Sequence, residues 1–220
     1  MKRRIMVMSL VLAAFTACNN SPEADKAVTT EAQEVNTAAP AGESYAVDTT
    51  QSKVEWIGTK PTGQHHGTFK IKEGTLTASN NEVTGGKVTI DVASVNPYDQ
   101  DAENNAKLQK HLRSADFFDV EKYPTGTFEI TSVKAGAPTG GDAVMKDATH
   151  TVTGNLTLKD QTKSVSFPAK ISANANEIVS DASFNIDRTQ WGIVYRSDKS
   201  LGDKFIGTDV NIALHIVAKK

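Results

Sequence analysis

An all-β domain is the fold the sequence predicts, a closed antiparallel barrel or a sandwich of about eight strands with one helix. Three observations predict it. From about Ser44 onward apolar and polar residues alternate at a period of two, which gives each strand a single apolar face. Clusters of Gly, Asn and Asp interrupt these runs where turns are needed. Only residues 101–114 (DAENNAKLQKHLRS) depart from the pattern: they lack Gly and Pro and set Leu108 and Leu112 four apart.

The first forty-odd residues stand outside that domain. Lys2, Arg3 and Arg4 precede thirteen mostly apolar residues, 5–17 (IMVMSLVLAAFTA), and small residues then lead to Cys18. This order describes a secretory signal over 1–17. Thirteen residues rising about 1.5 Å each span about 20 Å as a helix, short of a hydrocarbon core of about 30 Å. Cys18 directly after Phe15-Thr16-Ala17 resembles a bacterial lipobox, so membrane attachment through an acylated Cys18 is expected, in a bacterial cell envelope. Cys18 is the only cysteine, and the fold cannot rely on an internal disulfide. Residues 19–43 hold no aromatic residue and only two Val, so a flexible tether is expected over 18–43. Removing the leader's three cations takes the formal charge from −2 to −5.

Within 44–220 the alternation is read pair by pair. Phe69/Ile71, Val88/Ile90/Val92, Phe128/Ile130 and Leu156/Leu158 mark successive strands. Val165/Phe167/Ala169/Ile171, Phe184/Ile186 and the run 209–216 (DVNIALHI) continue the series. In the helical stretch Asp101 and Glu103 lie at the start, and Lys107, Lys110 and Arg113 near the end, the order that complements a helix dipole. Placed after the strand ending near Val92, this helix is expected to flank a barrel mouth. Turns are expected at Asn80-Asn81, Gly85-Gly86, Gly140-Gly141 and 174–176.

Chemistry-bearing patterns are sparse. There is no G-x-S-x-G elbow beside a base. His65 and His66 are adjacent, an arrangement that on a strand points them to opposite faces, and no metal site is expected. A solvated pair in a turn is the reading given to them. Lys and Arg show no basic face interleaved with aromatics, which argues against nucleic acid. A barrel of about eight strands either fills with side chains or encloses one ligand, and alternation alone leaves both open.

Several stretches together resemble the YceI-like, polyisoprenoid-binding, lipocalin-like family. Residues 88–95 (VTIDVASV) are followed by 110–124 (KHLRSADFFDVEKYP), which matches the family run H-L-R-S-x-D-F-F-D-x-x-x-Y-P. Residues 151–165 (TVTGNLTLKDQTKSV) resemble T-V-T-G-x-L-T-x-x-G-x-T-K-x-V, with Gln161 where the family tends to have Gly. Residues 188–193 (RTQWGI) resemble R-x-x-[FW]-G-I. The usual first-hairpin signature is replaced here by 54–59 (VEWIGT) and a short turn at His65-His66.

The resemblance implies an extended lipocalin-like barrel with an apolar pore for an isoprenoid lipid, a polyprenyl phosphate or an isoprenoid quinone. Phe128, Ile130, Phe167, Phe184, Ile186, Ile212 and Leu214 are then candidates to line the pore, with ordinary core packing as the alternative for each. Arg188 and Arg113 are candidates to meet an anionic head group, and Arg113 has the alternative of capping the helix or pairing with Asp116 or Asp119. Residues 116–119 (DFFD) read as a structural corner. The implied role is a non-catalytic carrier, store or protector of the lipid, with no cofactor required. Two competitors stay open, an enzyme acting on that lipid and a stress-related interaction protein with a filled barrel. A homodimer is left open too.

Overall fold

A computed structural model describes residues 21–35, 42–136 and 143–220. The leader 1–17, Cys18 and the turn expected at Gly140-Gly141 lie outside the described residues. In chain order the strands are β1 (Asp25–Lys26), β2 (Val28–Glu31), β3 (Glu43–Val47), β4 (Lys53–Lys60), β5 (Gly63–Ser79) and β6 (Glu82–Pro97). The helix α1 (Ala102–Arg113) follows, then β7 (Thr125–Ala135), β8 (His150–Leu158), β9 (Gln161–Ala173), β10 (Glu177–Asp187) and β11 (Asp209–Lys219).

Strands β4 to β11 run antiparallel in sequence order, and β11 pairs β4 from Asn211↔Ile57 to His215↔Lys53, which closes an eight-stranded barrel. Closure removes the sheet edges that an open sheet of this size would present. At one end, β3 fits between β11 and β5, and Tyr45, Leu76, Ala78, Ile178 and Ala218 form a packed cluster there. The other end carries the Lys60–Gly63 hairpin, α1 and the long connection between β10 and β11.

α1 forms where its sequence directs. Asp101 caps it by accepting from the Asn104 N–H, and the Ser114 N–H closes the far end on the His111 carbonyl. The corner over 116–119 is confirmed as structural. Asp119 takes a left-handed φ of 49°, and the Phe118, Asp119 and Val120 N–H groups return to carbonyls of Leu112, Ser114 and Arg113.

Two turn expectations divide. Asn80 and Asn81 both have positive φ (52° and 63°), the signature of a tight two-residue hairpin between β5 and β6. Gly85-Gly86 is no turn: both residues sit inside β6 opposite Thr77 and Leu76, beside a register shift. Gly86 has φ 151°, and a Cβ there would stand 2.6 Å from the Thr75 carbonyl oxygen, so close strand approach explains the glycine. His65 and His66 likewise belong to β5 rather than to a turn.

The tether expected over 18–43 is corrected for residues 21–35. β9 and β10 pair directly only from Ala173↔Ile178 to Lys170↔Asp181. Beyond that point they separate, and the N-terminal segment fills the gap. β1 runs parallel to β10 (Asp25↔Phe184) and β2 antiparallel to β9 (Val28↔Ser166 to Glu31↔Lys163). Main-chain pairing on two otherwise open edges holds a segment whose own apolar content is too low to fold. Ala27, 6% exposed, is its only side chain among the core residues.

Candidate functional site

The inward faces of the strands enclose a cavity of about 500 Å3. Its walls come from the alternating residues: Val88, Ile90 and Val92 of β6, Phe128 and Ile130 of β7, Leu156 and Leu158 of β8, Val165, Phe167 and Ile171 of β9, Phe184 and Ile186 of β10, and Val210, Ile212, Leu214 and Ile216 of β11. All seven apolar residues expected to line a pore therefore do so. Phe167 and Phe184 stack at 4.0 Å between centroids, and Phe128 tilts against Phe167 at 5.7 Å, forming one aromatic wall. Gly154 opposite Ile130 makes room for that wall, since a Cβ there would meet the Phe128 ring at 2.5 Å.

Polar groups gather at the end that carries α1. Thr59, Lys60, Thr62 and His65 from the β4–β5 hairpin, and Arg196, Asp203 and Lys204 from the β10–β11 connection, complete the lining there. Thr62, Arg196, Asp203 and Lys204 are exposed, so this end is the mouth. Helix α1 covers one side of it with Leu108, His111 and Leu112. The His111 ring meets Phe117 and Tyr195 edge-on at 5.1 and 4.9 Å and pairs with Asp116 at 3.0 Å. Asp99 accepts from the His66 N–H and pairs with His65 Nδ1 at 2.9 Å. Burial pushes the Asp99 carboxyl up, and these hydrogen bonds outweigh it and hold the group below the ordinary carboxylate value. No group of metal-ligating side chains occurs among the described residues.

Arg188 lines the cavity, but its guanidinium does not face a head group. It is 6% exposed. Nε donates to the Gly207 carbonyl at 2.9 Å, Nη1 to Ile193, and Nη2 to Tyr195 and Ile206 at 3.0 and 2.9 Å. Four of its five N–H groups thus clamp both ends of the mouth connection. Burial lowers its pKa and the Asp187 charge partly offsets this. The head-group expectation for Arg188 is corrected accordingly. Arg113 is exposed at the end of α1 and is not among the lining residues; Asp116, one partner considered for it, pairs with His111 instead.

The same geometry gives the sequence motifs physical content. In 188–193, Asp187 caps the Thr189 N–H, Arg188 clamps, and Trp191 is fully buried with its Nε1 donating to the Leu156 carbonyl. Gly192 then takes φ 70°, where a side chain would be strained, and Ile193 packs at the mouth.

The family model described as YceI-like domain matches residues 45–218. The chain belongs to that family. Among YceI-like relatives, a UPF0312 protein of Pseudomonas putida is 36% identical over 112 residues, 51% of this chain and 52% of the relative. Protein YceI of Salmonella arizonae is 38% identical over 112 residues, 51% of each chain. The match therefore spans about half the length of these curated relatives. Two solved structures share the fold: Burkholderia cenocepacia BcnA, with TM-score 0.60 and 24% identity over 79% of this chain and 99% of that one, and a polyisoprenoid binding domain from Saccharophagus degradans, with TM-score 0.54 and 16% identity over 80% and 97%.

Sequence reasoning placed the helix at the mouth and missed the rest of its lining. Tyr195, Phe205 and Ile206 lie in a connection where alternation gives no signal, and Trp56 lies on β4, in the 54–59 stretch noted only for replacing the usual first-hairpin signature.

Proposed function

We propose that this YceI-like protein binds an isoprenoid lipid, with the chain in the barrel and the head group at the mouth, and that it carries, stores or protects that lipid in a bacterial cell envelope. The observation that supports this best is the cavity itself. A filled barrel would have its inward residues in mutual contact, whereas here about 500 Å3 stays open behind walls that are almost wholly aliphatic and aromatic. That volume is in the range of small-molecule sites, about 300–1,000 Å3. Covering about 400 Å2 of tail surface contributes about 10 kcal/mol at about 25 cal/mol per Å2. After association costs of about 4 kcal/mol, about 6 kcal/mol remains, a Kd of tens of micromolar.

A binding role fits better than catalysis. Inside the barrel the lining has Ser180 as its lone hydroxyl, next to Ile178 on β10 and opposite Ile171 and Ile216 on the neighbouring strands, with no base among these residues. The family membership and the polyisoprenoid binding domain that shares this fold support the choice of ligand class. At the mouth, Lys60, Arg196 and Lys204 suit a phosphate, and Thr59, Thr62 and His65 suit a quinone carbonyl.

Titration with a long-chain isoprenoid quinone, read by quenching of Trp56 and Trp191, tests the proposal, since both indoles line the cavity. Saturable quenching at tens of micromolar quinone is expected. Filling the space with Ile130→Phe and Leu214→Phe should weaken binding roughly tenfold, about 1.4 kcal/mol. Equal affinity in the filled variant would place the ligand elsewhere.

A further inference from the structure

We infer that the mouth end of the barrel is a docking face for an anionic lipid surface, so that the cavity opens directly onto the bilayer; this rests on the lipid-binding reading above. Three observations converge on the same end of the molecule. The first is apolar exposure. Val194 and Leu201, 57% and 43% exposed, are two of the five large hydrophobic residues exposed among the described ones, and both lie on the β10–β11 connection. The second is charge. Arg196, Lys199 and Lys204 flank them on that connection, and Lys60 adds a further cation to the mouth from the β4–β5 hairpin. Of the two acids interspersed there, Asp198 is turned back onto the Ser200 N–H, and Asp203 is at the mouth. Protruding apolar side chains set among cations suit insertion at an anionic interface.

The third observation is where the N-terminal segment leaves the barrel. Ser21 Oγ donates to the Asp209 carbonyl at 2.9 Å, and Asp209 is paired with Asp187 at the mouth-side ends of β10 and β11. Asn185 Nδ2 holds the Pro22 carbonyl at 3.1 Å, and Lys26 reaches Asp209 at 3.2 Å. Cys18 is three residues upstream of Ser21, a reach of about 10 Å at most. An acyl group on Cys18 would therefore hold this end, rather than the end packed by Tyr45 and Ile178, close to the bilayer. The long tether expected over 18–43 would have allowed any orientation; the pinned segment does not.

The mouth also has an arrangement suited to exchange. The connection that carries Val194 and Leu201 is held at both ends by the buried Arg188 clamp, so the face that meets lipid is a fixed rim around the opening. Leu108 of α1 and Phe205 of the connection line the cavity with apolar side chains that a tail leaving the bilayer could follow.

The test places a fluorophore on the acylated full-length chain at Leu201→Cys or, at the opposite end, at Ala175→Cys. With Cys18 acylated, the introduced thiol is the only one free. In vesicles of phosphatidylglycerol and phosphatidylethanolamine, a lipid-borne quencher should quench the label at 201 several-fold more than the label at 175. For the unacylated Cys18→Ser chain, Val194→Asp with Leu201→Asp should lower vesicle binding roughly tenfold, and quinone uptake from detergent micelles should be unchanged. Equal quenching at 201 and 175, or vesicle binding that the double variant leaves intact, would overturn the docking face. Uptake from micelles reads the cavity separately, so a failure of the lipid-binding reading shows as no uptake by the parent chain, whichever label is quenched.

Discussion

At Arg188 a full positive charge is taken out of water and set against four backbone carbonyls rather than a carboxylate. Those carbonyls belong to Ile193, Tyr195, Ile206 and Gly207, so one side chain replaces the ladder that a connection of this length lacks. Removing it leaves buried acceptors unpaired, which costs more than the bonds contribute net. Arg188→Met should therefore lower stability by about 3 kcal/mol and admit protease between 193 and 207, as read by thermal melting and limited proteolysis. Arg188→Lys should recover only part of this, because an ammonium cannot fork to four acceptors. Trp56 makes the opposite case. Its Nε1 is buried without a hydrogen-bond partner among the described residues, packed over Gly67, and Trp56→Phe should cost less than about 1 kcal/mol because it removes an orphaned donor along with some contact. The residue type of Arg188 is plain in the sequence; its acceptors are not, since they are main-chain groups brought within reach only by the turn at 188–191.

At the scale of elements, the segment 21–35 shows how a composition that reads as a tether can be ordered. Its main chain pairs with β9 and β10, and two buried asparagines hold it. Asn155 exchanges two hydrogen bonds with the Gln33 backbone at 2.9 and 2.7 Å, and Asn185 donates to Pro22. Asp25 accepts from the Val144 and Met145 N–H groups at 2.9 Å each. Deleting residues 21–35 should leave two strand edges unpaired and cost about 2 kcal/mol or more, which is about 4–8 °C in melting temperature for a domain of this size. Amide exchange should rise selectively at 163–166 and 184–185; unchanged protection there would show that the segment does not close the seam. Period-two patterning marks β5 to β11 because each buries one face, whereas residues 25–31 bury a single alanine and leave no pattern to find. The helix was legible to within a residue, through Asp101 and Ser114 at its ends. A second element-scale prediction concerns the β3–β4 turn. Hydrogen bonds from Thr50, then from Lys219, hold the Asp48 carboxyl far below its ordinary value of 3.8. A lowered folded-state pKa contributes stability above the unfolded value, and that contribution is lost as pH falls. Melting temperature should fall between roughly pH 5 and 2, less steeply in Asp48→Asn.

For the whole molecule, the central question was whether an apolar barrel interior is filled or lined, and alternation cannot decide it because both cases bury the same faces. The answer lies in the sizes of opposed residues: Gly154 where Phe128 leans over, and the Phe167–Phe184 stack that occupies one wall without spanning the barrel. Such volume matching depends on which side chains meet between neighbouring strands, which alternation along one strand does not state. The seven lining residues were legible one strand at a time, and so was the helix beside the mouth; the hairpin and the connection that complete the mouth were not. Native mass spectrometry of the full-length protein extracted from its own host membrane in mild detergent tests the central claim most directly. A bound isoprenoid lipid, displaced by added quinone and largely absent from the Ile130→Phe, Leu214→Phe variant, is the result predicted. A protein recovered empty, with no quenching of Trp56 or Trp191 by added isoprenoids, would contradict it.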